Sequence, residues 1–299
     1  MDIITHAGIG LIAGSPFLAD RPELALGIIA GSVLPDLDSL CRLRGKMPFL
    51  RLHQTWSHAL PVQLLFIAAT ALIAAILGLR AVELSLGLFA GLLGHSLLDL
   101  TNTYGVAWLA PFSRRRFCLE WVFFIDATIL VALVITLAAI SPMWIRDRSV
   151  PSAYAEAFVG FLALYVISKG TLRRRAGRIC PNSKSLVPSA LVPWRFYGTM
   201  LQNGHVSFLQ VNTITGACRI VGGSPILDDA FVSVLNTLPE FQIMRENSSE
   251  YHVVSASAEE GGMRLLCRDL RIRNFKTRFG DLEVWLDPSQ HVSGSRFYV

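Results

Sequence analysis

Apolar residues fall in long runs through the first 170 positions and thin out after residue 181. Residues 60–79 carry no charge over twenty positions, the length a helix needs to cross a bilayer core of about 30 Å. Residues 84–98 are apolar apart from His95, 121–140 apart from Asp126, and 157–168 reaches spanning length when 152–155 are included. Shorter apolar stretches at 1–18 and 23–34, broken by Gly and Pro, predict a pair of half-spans or interfacial helices. The remainder is patterned differently. Residues 195–202 and 205–212 read as a hairpin closed by Asn203-Gly204, a pair suited to a type I′ turn. Residues 227–238 have helical spacing with Asp228 and Asp229 in the first turn, and 251–256, 263–268, 282–286 and 296–299 read as short strands. The pattern predicts a mainly α protein. A polytopic transmembrane helical domain spans 1–170, a basic linker 171–180, and a smaller α+β, mainly β, domain 181–299.

Composition narrows the class. Of 299 residues, 52% are hydrophobic and 16% charged, with a mean hydropathy of +0.47. These values exclude a disordered chain and disfavour an ordinary soluble enzyme. The net charge is +5, and its distribution matters more than its size. With the segment after Ser168 inside, thirteen Lys and Arg lie on the inner side against four outside (Arg21, Arg80, Arg146, Arg148). The positive-inside rule then predicts a multi-pass protein of the bacterial inner membrane with a cytoplasmic C-terminal domain, whose partner is the lipid bilayer and not nucleic acid. The stretch before Arg21 lacks the basic start of a secretory signal. Cys41, Cys118, Cys180, Cys218 and Cys267 form no C-x-x-C pair, which predicts reduced, packing thiols.

The candidate chemistry lies in the apolar half. His6, His53, His58 and His95 accompany Asp36, Asp38, Asp99 and Asp126, and imidazole with carboxylate is a ligand set for zinc, manganese or iron. In the orientation fixed by Lys and Arg alone, all eight collect at the inner face. His95 and Asp99 are four apart on a helix and so project from one side of it. An acid and a histidine within a span are costly unless paired, so they default to function. Asp36 and Asp38 flank one residue after Pro35, and can bridge two metals or merely end one helix and cap the next. His53 and His58 fit a turn leading into the following helix, with Ser57 as its cap. Asp126 has Arg114, Arg115 and Arg116 as alternative partners. Beside a metal site that basic triplet could hold a phosphate or phospholipid headgroup, the plainer reading being topological signalling alone. His205, His252 and His291 read as surface or packing residues. No G-x-S-x-G, P-loop or G-x-G-x-x-G is present, which disfavours the enzyme classes built on them.

Four motifs occur in order: Thr5-His6-x-x-x-Gly10, Gly31-Ser32-x-Leu34-Pro35-Asp36-x-Asp38, His53-x-x-Trp56-Ser57-His58 and Gly94-His95-x-x-Leu98-Asp99-x-Thr101. Together they resemble the membrane-bound metal-dependent hydrolase family, YdjM-like, which includes a LexA-regulated inner-membrane member. The resemblance covers about residues 1–170. It implies a remote similarity to zinc-dependent phospholipase C and the S1-P1 nucleases, and with it a helical site holding two or more divalent ions. Where the family usually carries Arg or Lys after the first loop histidine, this chain has Gln54. The expected function is hydrolysis by a metal-activated water at the cytoplasmic interface, acting on a phosphoester or lipid-like substrate. In that reading all eight residues are ligands, Asp38 or Asp126 takes the proton, and Arg114, Arg115 and Arg116 hold the substrate. Two other classes stay open. A metal or ion transporter predicts polar residues along whole spans, whereas the ligands stop at one side. A non-enzymatic regulator would keep the metal for structure alone.

Overall fold

The computed structural model describes residues 1–52, 54–113, 115–147, 149–259, 261–272 and 277–298. The chain divides into two compact units, Met1–Gly170 and Thr171–Val299. The first is built of α1 (Ile3–Gly14), α2 (Pro22–Val33), α3 (Lys46–Leu52), α4 (Leu60–Ile76), α5 (Ala81–Leu100), α6 (Ala127–Asp147) and most of α7 (Ser152–Ile179). A stretch of 3₁₀-helix, Leu34–Arg44, continues α2. Among the described residues, four stretches are long and apolar enough to cross a membrane: Pro22–Arg44, Ala81–Leu100, Ala127–Arg146 and Ser152–Ile179. Their outward side chains, such as Leu26, Leu86, Val134 and Leu164, are exposed and apolar, as a lipid-facing surface requires.

Several boundaries differ from the sequence expectation, each for a local reason. The run at 60–79 forms a shorter helix, because the chain turns at Gly78, where φ is +69°. The run at 121–140 becomes helical only at Ala127. There Asp126 caps α6, its Oδ1 accepting the N–H of Thr128 at 3.0 Å and of Ile129 at 3.3 Å. The basic segment 171–180 is helical as far as Ile179, where it forms the last turns of α7.

Helices α2 and α5 pack backbone against backbone, and glycine permits it. A Cβ on Gly31 would lie 2.5 Å from the Leu88 carbonyl and 2.8 Å from the Leu92 nitrogen. A Cβ on Gly91 would meet the Ile28 carbonyl and come within 2.8 Å of the Ser32 nitrogen; Gly27 and Gly87 repeat the contact one turn away. Two Gly-x-x-x-Gly stripes thus seat backbone on backbone, the usual device for helices that lack a hydrophobic drive to associate in lipid. The stripe on α5 continues at the same spacing into His95 and Asp99, so the seam aims both into the site.

Between α5 and α6 the chain folds back on itself. The Leu119 amide donates to the Leu100 carbonyl at 2.8 Å, that of Trp121 to Thr101 at 2.9 Å, and Val106 and Phe117 exchange a pair of hydrogen bonds. Gly105, at φ +65°, makes the turn; a side chain there would meet the Phe117 carbonyl. The same loop touches the start of α4, with the Leu60 amide on the Trp108 carbonyl at 3.0 Å.

The second unit holds two antiparallel four-stranded meanders. The first comprises β1 (Ser185–Pro188), β2 (Arg195–Gln202), β3 (His205–Asn212) and β4 (Ala217–Pro225). The second comprises β5 (Tyr251–Glu259), β6 (Gly262–Asp269), β7 (Leu282–Leu286) and β8 (Val292–Phe297), with α8 (Asp228–Leu235) and α9 (Pro239–Asn247) between the sheets in sequence. The β2–β3 hairpin closes as expected, Gln202 opposite His205 and both Asn203 and Gly204 at positive φ. The last turns of α7 pack Leu172, Ala176 and Ile179 against Leu186, Phe196, Leu209 and Val211 of the first sheet. Cys180 and Cys218 are joined as a disulfide, correcting the expectation that all five cysteines are reduced. Spacing gave no sign of this pair, which tertiary packing brings together over a separation of 38 residues.

Gly31→Ala and Gly91→Ala should each destabilise the protein by about 1–3 kcal/mol, the usual cost of overpacking. Gly94→Ala, whose new methyl would meet nothing within 4 Å, should be neutral or stabilising. Thermal denaturation of the purified protein in detergent reads the difference.

Candidate metal centre

The seam delivers His95 and Asp99 from α5, the start of the 3₁₀ stretch delivers Asp36, and the turn before α4 delivers His58. These four side chains each offer one ligand atom, and the four atoms lie within 4.8 Å of one another. None of the four residues is more than 3% exposed. His58 Nε2 and His95 Nε2 are 3.0 Å apart; Asp99 Oδ2 lies 3.2 Å from the first and 3.5 Å from the second, and Asp36 Oδ1 3.7 Å from each.

Hydrogen bonding fixes what those nitrogens present. His95 Nδ1 is 2.9 Å from the Ser32 carbonyl, which can only accept, so Nδ1 carries the proton and Nε2 of the neutral ring a lone pair. The Ser57 hydroxyl donates its one hydrogen to Asp38 Oδ2 at 2.5 Å, and so accepts from His58 Nδ1 at 2.9 Å. In the neutral ring, His58 Nε2 is therefore also a lone pair. Two lone pairs face each other beside two carboxylates, and neither oxygen of buried Asp36 has a hydrogen-bond donor among the described residues. Such an arrangement repels itself in the absence of a cation. Two imidazole nitrogens and two carboxylate oxygens are the donor set that a divalent metal ion takes.

The remaining predicted ligands stand elsewhere. His6 is one contact back: its Nε2 lies 3.0 Å from Asp99 Oδ1, which also meets the Met1 amine, and its ring stacks on His95 with centroids 3.7 Å apart. Asp38 belongs to the layer behind His58, bonded to Ser57 Oγ and, at 3.0 Å, to the Gln54 N–H. Asp126 is drawn off by other partners, its oxygens accepting the Tyr165 hydroxyl at 2.9 and 3.0 Å in addition to capping α6. His53 and Arg114 lie outside the described residues. Arg115 is exposed and sits 5.3 Å above the Phe117 ring. Burial lowers the Arg116 guanidinium below its ordinary value, and the charge of Asp38 opposes that. Of the outlying histidines, His205 and His291 are exposed, while His252 is buried and its Nδ1 lies 2.9 Å from Asp228 Oδ2.

Sequence reasoning missed two contributors. Ser57 does not cap α4, whose N-cap is Ala59; it works instead as the link between Asp38 and His58. Ser32 acts through its carbonyl, to which no side-chain pattern points. The pairing of Ser57 with His58 inside one motif was the available signal for the first.

The sequence model of the YdjM inner membrane protein family matches residues 1–176, a stretch that holds every member of the cluster. The chain is also 23% identical over 273 residues to the uncharacterized protein YfhP of Bacillus subtilis (strain 168), covering 85% of this chain and 78% of that protein. No solved structure matches the chain.

His95→Ala and Asp99→Ala should each weaken metal binding by about tenfold or more. Ser57→Ala should weaken it by roughly 10–100-fold without removing a ligand, because it releases the His58 tautomer. His205→Ala and His291→Ala should leave it unchanged. Metal analysis of purified protein and competition with a chelator test all five; equal losses throughout would indicate general unfolding.

Proposed function

The chain belongs to the YdjM inner membrane protein family, and from that membership and the buried Asp–His cluster we propose that it is a membrane-embedded, metal-dependent hydrolase. The observation that carries the proposal is the pair of opposed Nε2 lone pairs at 3.0 Å, held by Ser32 on one side and by Ser57 on the other. Asp36, His58, His95 and Asp99 would hold the ion, zinc suiting two nitrogens and two oxygens, with manganese or iron as alternatives. A second ion would draw on His6 and the Oδ1 edge of Asp99. Bound there, a divalent cation supplies a Lewis acid and lowers the pKa of a water toward neutrality.

The chain's own residues divide the remaining work. The Ser32 carbonyl and the Ser57–Asp38 pair keep both imidazoles in the ligating tautomer. Asp38 is only half-buried, and we assign to it the proton taken from water; Asp126 is engaged by Tyr165 and is the weaker candidate. Arg116, whose guanidinium feels the charge of Asp38, would supply a cation for an anionic substrate, which favours a phosphoester or lipid-like ester. The excess of Lys and Arg on the side that includes Arg115 and Arg174 supports a cytoplasmic placement of the cluster and of the C-terminal unit; the Cys180–Cys218 disulfide, a bond rare in the cytoplasm, weighs against it for the C-terminal unit. A structural-metal reading has one observation of its own. Four protein ligands, all buried, are what a closed site uses.

Asp38→Asn separates the two. The amide oxygen still accepts from Ser57, so metal content and thermal stability should stay close to wild type, while turnover of a phosphoester panel should fall to background. Stoichiometric metal with no turnover by the wild type across ester, phosphoester and amide panels would establish the structural reading. For orientation, single cysteines at 115 and 174 in a cysteine-free background should resist an impermeant thiol reagent in intact cells, and one at position 80 should react. Labelling at 174 would reverse the topology.

A further inference from the structure

The arginines of the second unit differ in their partners. Four on or beside the second sheet have a carboxylate: Arg264 pairs with Glu283 at 2.5 Å, Arg268 with Asp281 at 2.6 Å, Arg271 with Asp269 at 3.0 Å and Arg278 with Glu283 at 2.6 Å, whereas Arg219 of β4 and Arg296 of β8 stand singly without one among the described residues. Three others cluster on the last turns of α7. Arg174, Arg175 and Arg178 are exposed, and among the described residues no carboxylate lies within ion-pair distance of any of them. With Thr171, Leu172 and Ile179 these three line a cavity of about 660 Å³. Its wall is part cationic and part apolar.

The neighbouring surface carries two exposed apolar side chains, Ile214 and Trp194. Arg175 donates to the Ile214 carbonyl at 3.5 Å, which places the β3–β4 turn beside the cavity. Ile214 is 60% exposed; the adjacent Thr213 donates to the carbonyl of Trp194, itself 40% exposed. The Cys180–Cys218 link holds β4 to the end of the same helix. Chain continuity then sets the position. At 28 residues α7 is about 42 Å long, against a hydrocarbon core of about 30 Å, so its basic end emerges roughly at headgroup level. Unmatched arginines, an exposed tryptophan and an exposed isoleucine at that level are the elements of an interfacial lipid site.

We propose that the basic end of α7, with the β3–β4 turn, binds the headgroup of an anionic phospholipid. The phosphate is held by Arg174, Arg175 and Arg178, while Ile214 and Trp194 enter the interface. The site is independent of the metal cluster and of any hydrolytic activity.

The test uses the purified full chain in detergent. Phosphatidylglycerol, phosphatidylcholine and inorganic phosphate are titrated separately, bound lipid being counted by native mass spectrometry and the thermal midpoint read in parallel. Phosphatidylglycerol should bind and raise the midpoint, increasingly less as salt rises, and the other two should do neither. Arg174→Gln/Arg178→Gln should weaken phosphatidylglycerol binding roughly thirtyfold, and Arg174→Lys/Arg178→Lys should keep most of it. Equal binding of both lipids, salt-independent binding by the wild type, or undiminished binding by the glutamine variant would overturn the proposal. Stabilisation by inorganic phosphate equal to that by phosphatidylglycerol would overturn it too, since the site would then take a soluble anion. The salt dependence is measured on the wild type, so the proposal stays testable even if the glutamine variant fails to fold.

Discussion

The contact of α2 with α5 is the constraint on which the first unit depends. In lipid an apolar side chain gains little by facing another helix, so close association must come from backbone proximity and polar contacts. Gly27, Gly31, Gly87 and Gly91 provide the first. The second follows from the same seam, because Ser32 stands one residue beyond Gly31 and its carbonyl reaches His95 at 2.9 Å. Helix packing and the protonation pattern of a candidate ligand are therefore one arrangement. A side chain that parted the helices would also free the imidazole to present its other nitrogen.

The second histidine is fixed by different means. Where His95 relies on main chain from a neighbouring helix, His58 relies on two side chains in sequence, Ser57 and Asp38. The first support cannot be removed by substitution and the second can. Variation in the ion held, or in its affinity, thus has an easier route through the turn before α4 than through the seam. Gln54 reaches that turn too, with its N–H on Asp38.

Much of this was legible in the sequence, and the limits have physical causes. The β2–β3 hairpin could be read to the residue, because a two-residue Asn-Gly turn dictates both register and ends. Helical spacing brought His95 and Asp99 to one face, and Asp36 and His58 followed from their motifs. Asp126 was grouped with them because a carboxylate at a span looks alike whether it binds a metal or caps a helix; the Tyr165 hydroxyl that engages it lies 39 residues further on. The end of α7 was read as a linker because a run of arginines interrupts hydropathy without interrupting helix propensity. The edge strand β4, almost wholly exposed, lacks the alternation that marks a half-buried strand, and Cys218 went unpaired with it.

Burial of the cluster has a consequence for timing. With every member at most 3% exposed, and two of them on the inner stripe of a tight helix pair, no open channel through the described residues is needed to explain their closeness. An ion seated there would exchange on the timescale of local helix separation, not of diffusion. Loading would then be easiest when α2 and α5 first meet, and exchange from the folded protein would be slow.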